Sequence, residues 1–167
     1  MKKIKTYLIP GLVLLLLGCE SKHICKYKPS PVFEEGLPHI EQYKYEQSGV
    51  QSLETMWLDR GMLLELYQEV CDNTRQEYRF TVPGPTDEFK AWPDSLWFKE
   101  ATRQLAFLST LSPKQAALRS WADVIEQARP QMKIGEPLEI EAGIFIKVDK
   151  VLGSDQTTLL LEFSQTE

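Results

Sequence analysis

The chain has 167 residues, with 19 Lys and Arg against 24 Asp and Glu, a formal net charge of −5 and a hydrophobic fraction of 43%. With no basic surplus to neutralise phosphates, nucleic acid is a poor partner, as is any other polyanion. The length suits one domain around one core.

The start is read first. Lys2, Lys3 and Lys5 precede an apolar run from Tyr7 to Leu17, broken only by Pro10 and Gly11. As a helix that run spans about 16 Å, short of the roughly 30 Å of a bilayer core, so a cleaved signal fits better than a permanent span. It ends in Leu16-Leu17-Gly18-Cys19. This stretch resembles the signal of the bacterial lipoprotein family, a Leu-rich segment closing on Leu-x-Gly-Cys. The resemblance implies cleavage before Cys19, diacylglycerol on its sulfur and acylation (palmitate) of the new amine. Two or three acyl chains anchor stably where one is marginal. Leu17 is bulkier than is usual at its position. Glu20 is not the aspartate that marks inner-membrane retention in that family, so the resemblance implies the outer membrane, periplasmic face. The organisation expected is a signal over 1–18, a lipidated tether over 19–38 and one periplasmic domain over 39–167.

Signal removal leaves 16 basic against 24 acidic residues, a net charge near −8, which speaks further against nucleic acid. With Cys19 lipidated, Cys25 and Cys71 remain in an oxidising compartment, where a disulfide is the default. A free buried thiol and a redox pair are the alternatives, although a separation of 46 residues bears no relation to Cys-x-x-Cys. Pro29, Pro31 and Pro38 give the 20–38 stretch the look of an extended tether.

Beyond it, Tyr43 and Tyr45 alternate with charged neighbours as in a short strand. From Ser52 to Asp72 the spacing of Leu53, Met56, Trp57, Leu63, Leu64, Tyr67 and Val70 predicts an amphipathic helix, with Glu54, Glu65 and Glu69 opposite. Glu77 to Val82 alternates as a half-buried strand with Tyr78, Phe80 and Val82 inward, stopped by Pro83-Gly84-Pro85. Asp94 opens a helix to Thr110 that buries Trp97, Ala101, Leu105 and Leu108. Ser112-Pro113-Lys114-Gln115 has the form of a capping box opening a helix to Arg129, with Trp121 inward. Leu138, Ile140 and Ala142 change phase at Gly143 into Ile144, Ile146 and Val148, suggesting a bulge or bend. Gly153-Ser154-Asp155 turns into Thr157–Phe163. The expected class is α+β: three amphipathic helices on a small antiparallel sheet with a C-terminal hairpin or meander.

Chemistry is sparse. His23 and His39 read as solvated linker histidines, and no spacing suits a metal site. No Gly-x-Ser-x-Gly elbow accompanies the histidines. Glu65 with Glu69, or Asp149 with Asp155, are the carboxylate pairs a glycan hydrolase would use, but an acidic face and a solvated turn explain them better. No catalytic residue, cofactor or small-molecule ligand is assigned. Trp92 and Phe89, in the proline-bounded loop from Pro83 to Pro93, are the candidate partner contacts, with a loop lid over the core as the alternative. The function expected is a membrane-anchored binding protein rather than an enzyme, with another protein as partner. An immunity protein against a periplasmic toxin is one form, an accessory lipoprotein of an envelope or secretion assembly another, and a carboxylate-dependent cell-wall hydrolase ranks last.

Overall fold

The computed structural model describes residues 25, 27–71, 73–84 and 86–166. The expected signal, the expected lipidation site Cys19, Glu20 and His23 lie outside them. The strands are β1 (Ile40–Ser48), β2 (Gln51–Leu58), β3 (Met62–Val70), β4 (Thr74–Pro83), β5 (Leu138–Glu141), β6 (Ile144–Leu152) and β7 (Gln156–Gln165). They make one seven-stranded antiparallel sheet in the order β1-β2-β3-β4-β7-β6-β5. Two meanders, β1–β4 and β5–β7, are joined by the ten-residue register of β4 against β7. Between them the chain forms α1 (Asp87–Lys90), α2 (Asp94–Leu108) and α3 (Ala117–Ala128). The expected class is thereby corrected, because the sheet dominates and the molecule is mainly β. No helix among the described residues is long and apolar enough to cross a membrane.

The correction originates at one place. The helix expected over 52–72 is the β2–β3 hairpin, turned by a short 3-10 segment at Asp59–Gly61, with Gly61 at a φ of 70°. Inward positions on β2 are Ser52, Glu54, Met56 and Leu58, and on β3 Leu64, Leu66 and Gln68. The outer face also carries apolar groups, Leu53, Trp57, Leu63 and Tyr67. Polar residues inside and apolar ones outside hide the two-residue period, and what remains mimics a helical stripe.

Elsewhere the expected elements hold. Tyr78 and Phe80 are buried on β4, and α2 buries Trp97, Ala101, Leu105 and Leu108. Ser112 does not cap a backbone N–H. Its hydroxyl donates to Gln115 Oε1, and the Gln115 amide donates to the Val32 carbonyl. The phase change at Gly143 is a hairpin turn, with φ 76° and the Thr166 carbonyl where a Cβ would stand, and beside it the β5–β6 register shifts between Glu139 and Glu141. Only one face of the sheet is covered by helices. On the other, Glu77 is held by Arg75 and Arg79 at 2.5 Å each, while Arg75 and Lys147 reach Glu162 at 2.9 and 3.0 Å. Burial alone would raise Glu162, but Lys147 and Arg75 hold its carboxyl below the usual range.

The segment expected as tether is part of the body from Cys25 onward. Cys25 and Cys71 form a disulfide with Cα atoms 5.0 Å apart. Phe33 is fully buried in the core. Glu54, itself fully buried, accepts hydrogen bonds from the Val32 and Phe33 amides at 2.7 and 2.9 Å, the Tyr43 hydroxyl at 3.0 Å and the Gln68 amide at 3.3 Å. An inward carboxylate in a strand is explained by these four donors. Burial pushes the Glu54 carboxyl up and the Val32, Phe33 and Tyr43 bonds pull it back, leaving it above the ordinary value.

Two predictions follow from this anchorage. The folded chain holds the Glu54 proton more tightly than the unfolded chain, so that contribution is present at low pH and fades as pH rises through the raised value. Urea unfolding should therefore show that, as pH rises above the ordinary glutamate value of 4.5, the wild type gives up more stability than Glu54→Gln. Matching pH dependences would contradict the assignment. Replacing Cys25 and Cys71 together by serine should lower unfolding free energy by up to about 4 kcal/mol, read from the urea midpoint.

Candidate functional site

At the end of the sheet opposite the disulfide, the two meanders and the helical connection enclose a cavity of about 160 Å³. Its floor comes from inward positions of three strands: Met62 of β3, Phe80 and Val82 of β4, and Thr157 and Leu159 of β7. Its walls are Phe89, Trp92 and Trp97, with Glu100 and Arg103 of α2 completing the lining. The register places Val82 opposite Thr157 and Phe80 opposite Leu159, so the β4–β7 seam runs through the floor.

The local sequence explains the walls. Pro83 ends β4 and Gly84, at φ 128°, turns the chain away from the sheet. The Gly84 amide donates to the Asp155 carbonyl at 2.8 Å, and the Thr86 hydroxyl donates to the Gly153 carbonyl at 3.0 Å. These two bonds pin the loop to the β6–β7 turn. One turn of helix, α1, then presents Phe89, and the Trp92 amide closes on the Phe89 carbonyl at 3.1 Å. Pro93 sets the entry of α2, whose first turn supplies Trp97.

The three rings pack as one cluster. Phe89 meets Trp92 edge-on at 5.0 Å between centroids, Trp92 meets Trp97 at 5.2 Å, and Phe89 meets Trp97 at 6.2 Å. Lys150 sits 5.3 Å from the Trp97 ring centroid and reaches Asp94 at 3.2 Å. Glu100 receives Arg103 in two bonds, at 2.8 and 2.5 Å, and the Gln104 amide at 2.6 Å. Burial would raise Glu100, yet Arg103 and Gln104 hold its carboxyl below the usual range, so the mouth carries a satisfied ion pair.

Two residues of the lining carry a buried polar atom without a protein partner. Trp97 Nε1 and Thr157 Oγ1 are buried without a hydrogen-bond partner, and only Arg75 Nε shares that condition among the described residues. Such a group costs about 1–3 kcal/mol when left unpaired.

Phe89 and Trp92, singled out from the loop composition, thus come together here, and they also pack against the core as a lid would. Trp97 and Thr157 were not singled out. A hydroxyl at the first inward position of the Thr157, Leu159, Leu161, Phe163 stripe is the signal that could have found Thr157. The other candidates lie elsewhere. His39 Nδ1 pairs with Asp59 Oδ2 at 2.5 Å, half-exposed and edge-on to Phe107. Glu65 and Glu69 stand on β3 opposite Arg79 and Arg75, as cross-strand charge pairs. Asp149 lies within β6 and Asp155 in the β6–β7 turn. Trp57 is on the outer face of β2, and Trp121 packs on Phe163 at 4.7 Å. Among the described residues no group of three or more His, Cys, Asp or Glu is placed to hold a metal ion.

No protein-family model matches the chain, and no curated protein and no solved structure matches it.

Burial separates the roles of the two tryptophans at the cavity. Trp97 is 1% exposed and Trp92 is partly buried. Trp97→Ala should cost about 3–5 kcal/mol and Trp92→Ala about 1–2 kcal/mol, measured by urea unfolding. Equal costs would mean that Trp92 is core rather than wall.

Proposed function

We propose that this chain is a lipid-anchored periplasmic binding protein, held on the membrane through Cys19, whose aromatic pocket meets a partner protein. The observation that supports the reading is that the disulfide holding Cys25 and the pocket sit at opposite ends of the sheet. Cys25, six residues after Cys19, is bonded to Cys71 beside the β3–β4 hairpin. Six residues of chain reach at most about 20 Å. From Val70 at that hairpin to Met62 at the pocket, β3 runs eight steps, roughly 27 Å. A lipid on Cys19 therefore holds the hairpin end near the bilayer and turns the pocket toward the periplasm.

What lies at that far end has the character of a recognition anchor: aromatic walls, an apolar floor and a charged but neutralised mouth. A protein partner uses such a surface well, whereas the net acidity repels polyanions. Immunity against a toxin and service to an envelope assembly differ only in who that partner is.

The test is affinity capture with the lipidated chain and its Trp92→Ala variant under the same extraction. A partner recovered by the wild type and lost by the variant is expected. If the partner is a toxin, the protein is an immunity protein; if it is an envelope subunit, it is an accessory. Equal recovery of the same partner by both chains would refute the pocket as the contact.

A further inference from the structure

We propose that the Cys25–Cys71 bond is a redox-operated latch that sets how far the lipid anchor lets the body stand from the membrane. The latch rests on the anchored reading above and adds a way of changing it.

Position in the chain is the first argument. The N-terminal segment is fastened to the sheet from Pro29 onward without help from the disulfide. Pro29 and Phe33 are buried, Phe33 completely. The Tyr45 hydroxyl donates to the Pro29 carbonyl at 3.1 Å, the Gln68 amide to the Ser30 carbonyl at 3.0 Å and the Tyr43 hydroxyl to the Phe33 carbonyl at 3.1 Å. The Gln115 amide donates to the Val32 carbonyl, and Glu54 accepts the Val32 and Phe33 amides. The disulfide lies ahead of all these contacts, on the side of Cys19. Opening it leaves them in place and releases only residues 25–28 into the tether. The stability it adds comes from restraining the unfolded chain, which does not require it to shape the folded one.

Reach is the second. With the bond closed, six residues separate Cys19 from its fixed point, a span of at most about 20 Å. With it open the fixed point becomes Pro29, ten residues away, and the span about 34 Å. Ser30 lies on Gln68, two residues from Val70 at the β3–β4 hairpin, so the exit stays at the same end of the sheet. The pocket keeps facing away from the membrane and gains up to about 14 Å of reach toward a partner.

Access is the third. Both cysteines are half-buried, and the nearby Tyr27 and Lys28 are exposed, Tyr27 by 59%. The co-reactant is a dithiol protein reductase. One of its thiolates attacks the Cys25 or Cys71 sulfur and forms a mixed disulfide, from which its second thiolate displaces the protein sulfur. Two electrons pass from the reductase to this chain, the reductase is left as a disulfide, and two protons end on the Cys25 and Cys71 thiols.

The experiment uses the full lipidated chain, its acyl chains on Cys19 read from the intact mass, on a supported phosphatidylcholine bilayer. Reduced thioredoxin is the probe, without denaturant, and the thiols are counted by alkylation. The expected result is opening of the bond and a protein layer thicker by up to about 14 Å in neutron reflectometry, with the Val32 and Phe33 amides still protected from hydrogen exchange. Cys25→Ser with Cys71→Ser should show the thicker layer with no reductant present. A bond that thioredoxin leaves closed, a layer that does not thicken once it is open, or loss of protection at Val32 and Phe33 overturns the latch. Such a failure with lipid on Cys19 leaves the anchored reading standing. A mass that shows no acyl group on Cys19 refutes that reading, and the latch with it.

Discussion

Pairing of β4 with β7 is the constraint from which the rest of the molecule is built. Each strand comes from a different meander, and the partners Thr74 and Gln165 to Pro83 and Gln156 lie some eighty residues apart in sequence. Contacts at such separation are reached only after a large loop is closed, and the helical connection is that loop. Helices α2 and α3 keep the two halves together by filling the inward face over the seam, with Trp97, Leu105 and Leu108 meeting Leu159, Leu161 and Phe80 in one core. A pocket whose floor belongs half to each meander exists only when that seam is in register. A one-residue slip would turn Phe80, Val82, Thr157 and Leu159 to the outer face.

Glu54 does for the N-terminal segment what the seam does for the sheet. The inward side of β2 and β3 is not covered by helix but by the chain around Val32 and Phe33, which has no regular structure and must place its amides somewhere. A buried carboxylate accepting both amides resolves that need, and Tyr43 and Gln68 complete its shell. The disulfide at Cys71 fixes the same segment at the far hairpin. Two fastenings, one polar at Val32 and Phe33 and one covalent at Cys25, hold this segment against the sheet.

The same polar economy limited what could be read from the residues. Strand β4 was legible because Tyr78 and Phe80 alternate with Glu77 and Arg79, and α2 and β7 because their apolar positions keep one period. In β2 and β3 the inward Ser52, Glu54 and Gln68 and the outward Leu53, Trp57 and Leu63 cancel the alternation, so a hairpin looked like a helix. The site was half legible. Phe89 and Trp92 stood out because prolines bound their loop and no periodic face claims them. Trp97 belonged to a helix face that accounts for it fully, and nothing local tells that its indole N–H will find no acceptor. Thr157 could be recognised as a polar residue in an inward row, but its neighbours across the seam are far away in sequence.

Local rules are obeyed almost throughout this fold, and the departures from them concentrate at the pocket. Buried polar groups elsewhere are answered: Glu54 by four donors, Glu77 by two arginines, Gln104 by Glu100, Gln115 by Ser112 and Val32. Of the three buried polar atoms without a protein partner among the described residues, two belong to residues that line one small cavity. Leaving a buried polar atom unpaired costs stability that an apolar group in its place would not. The aromatic cluster beside them is held by its own fastenings, Thr86 to Gly153 and Gly84 to Asp155, and so is not slack in the loop. The cavity therefore keeps its aromatic wall through the loop's bonds to the β6–β7 turn.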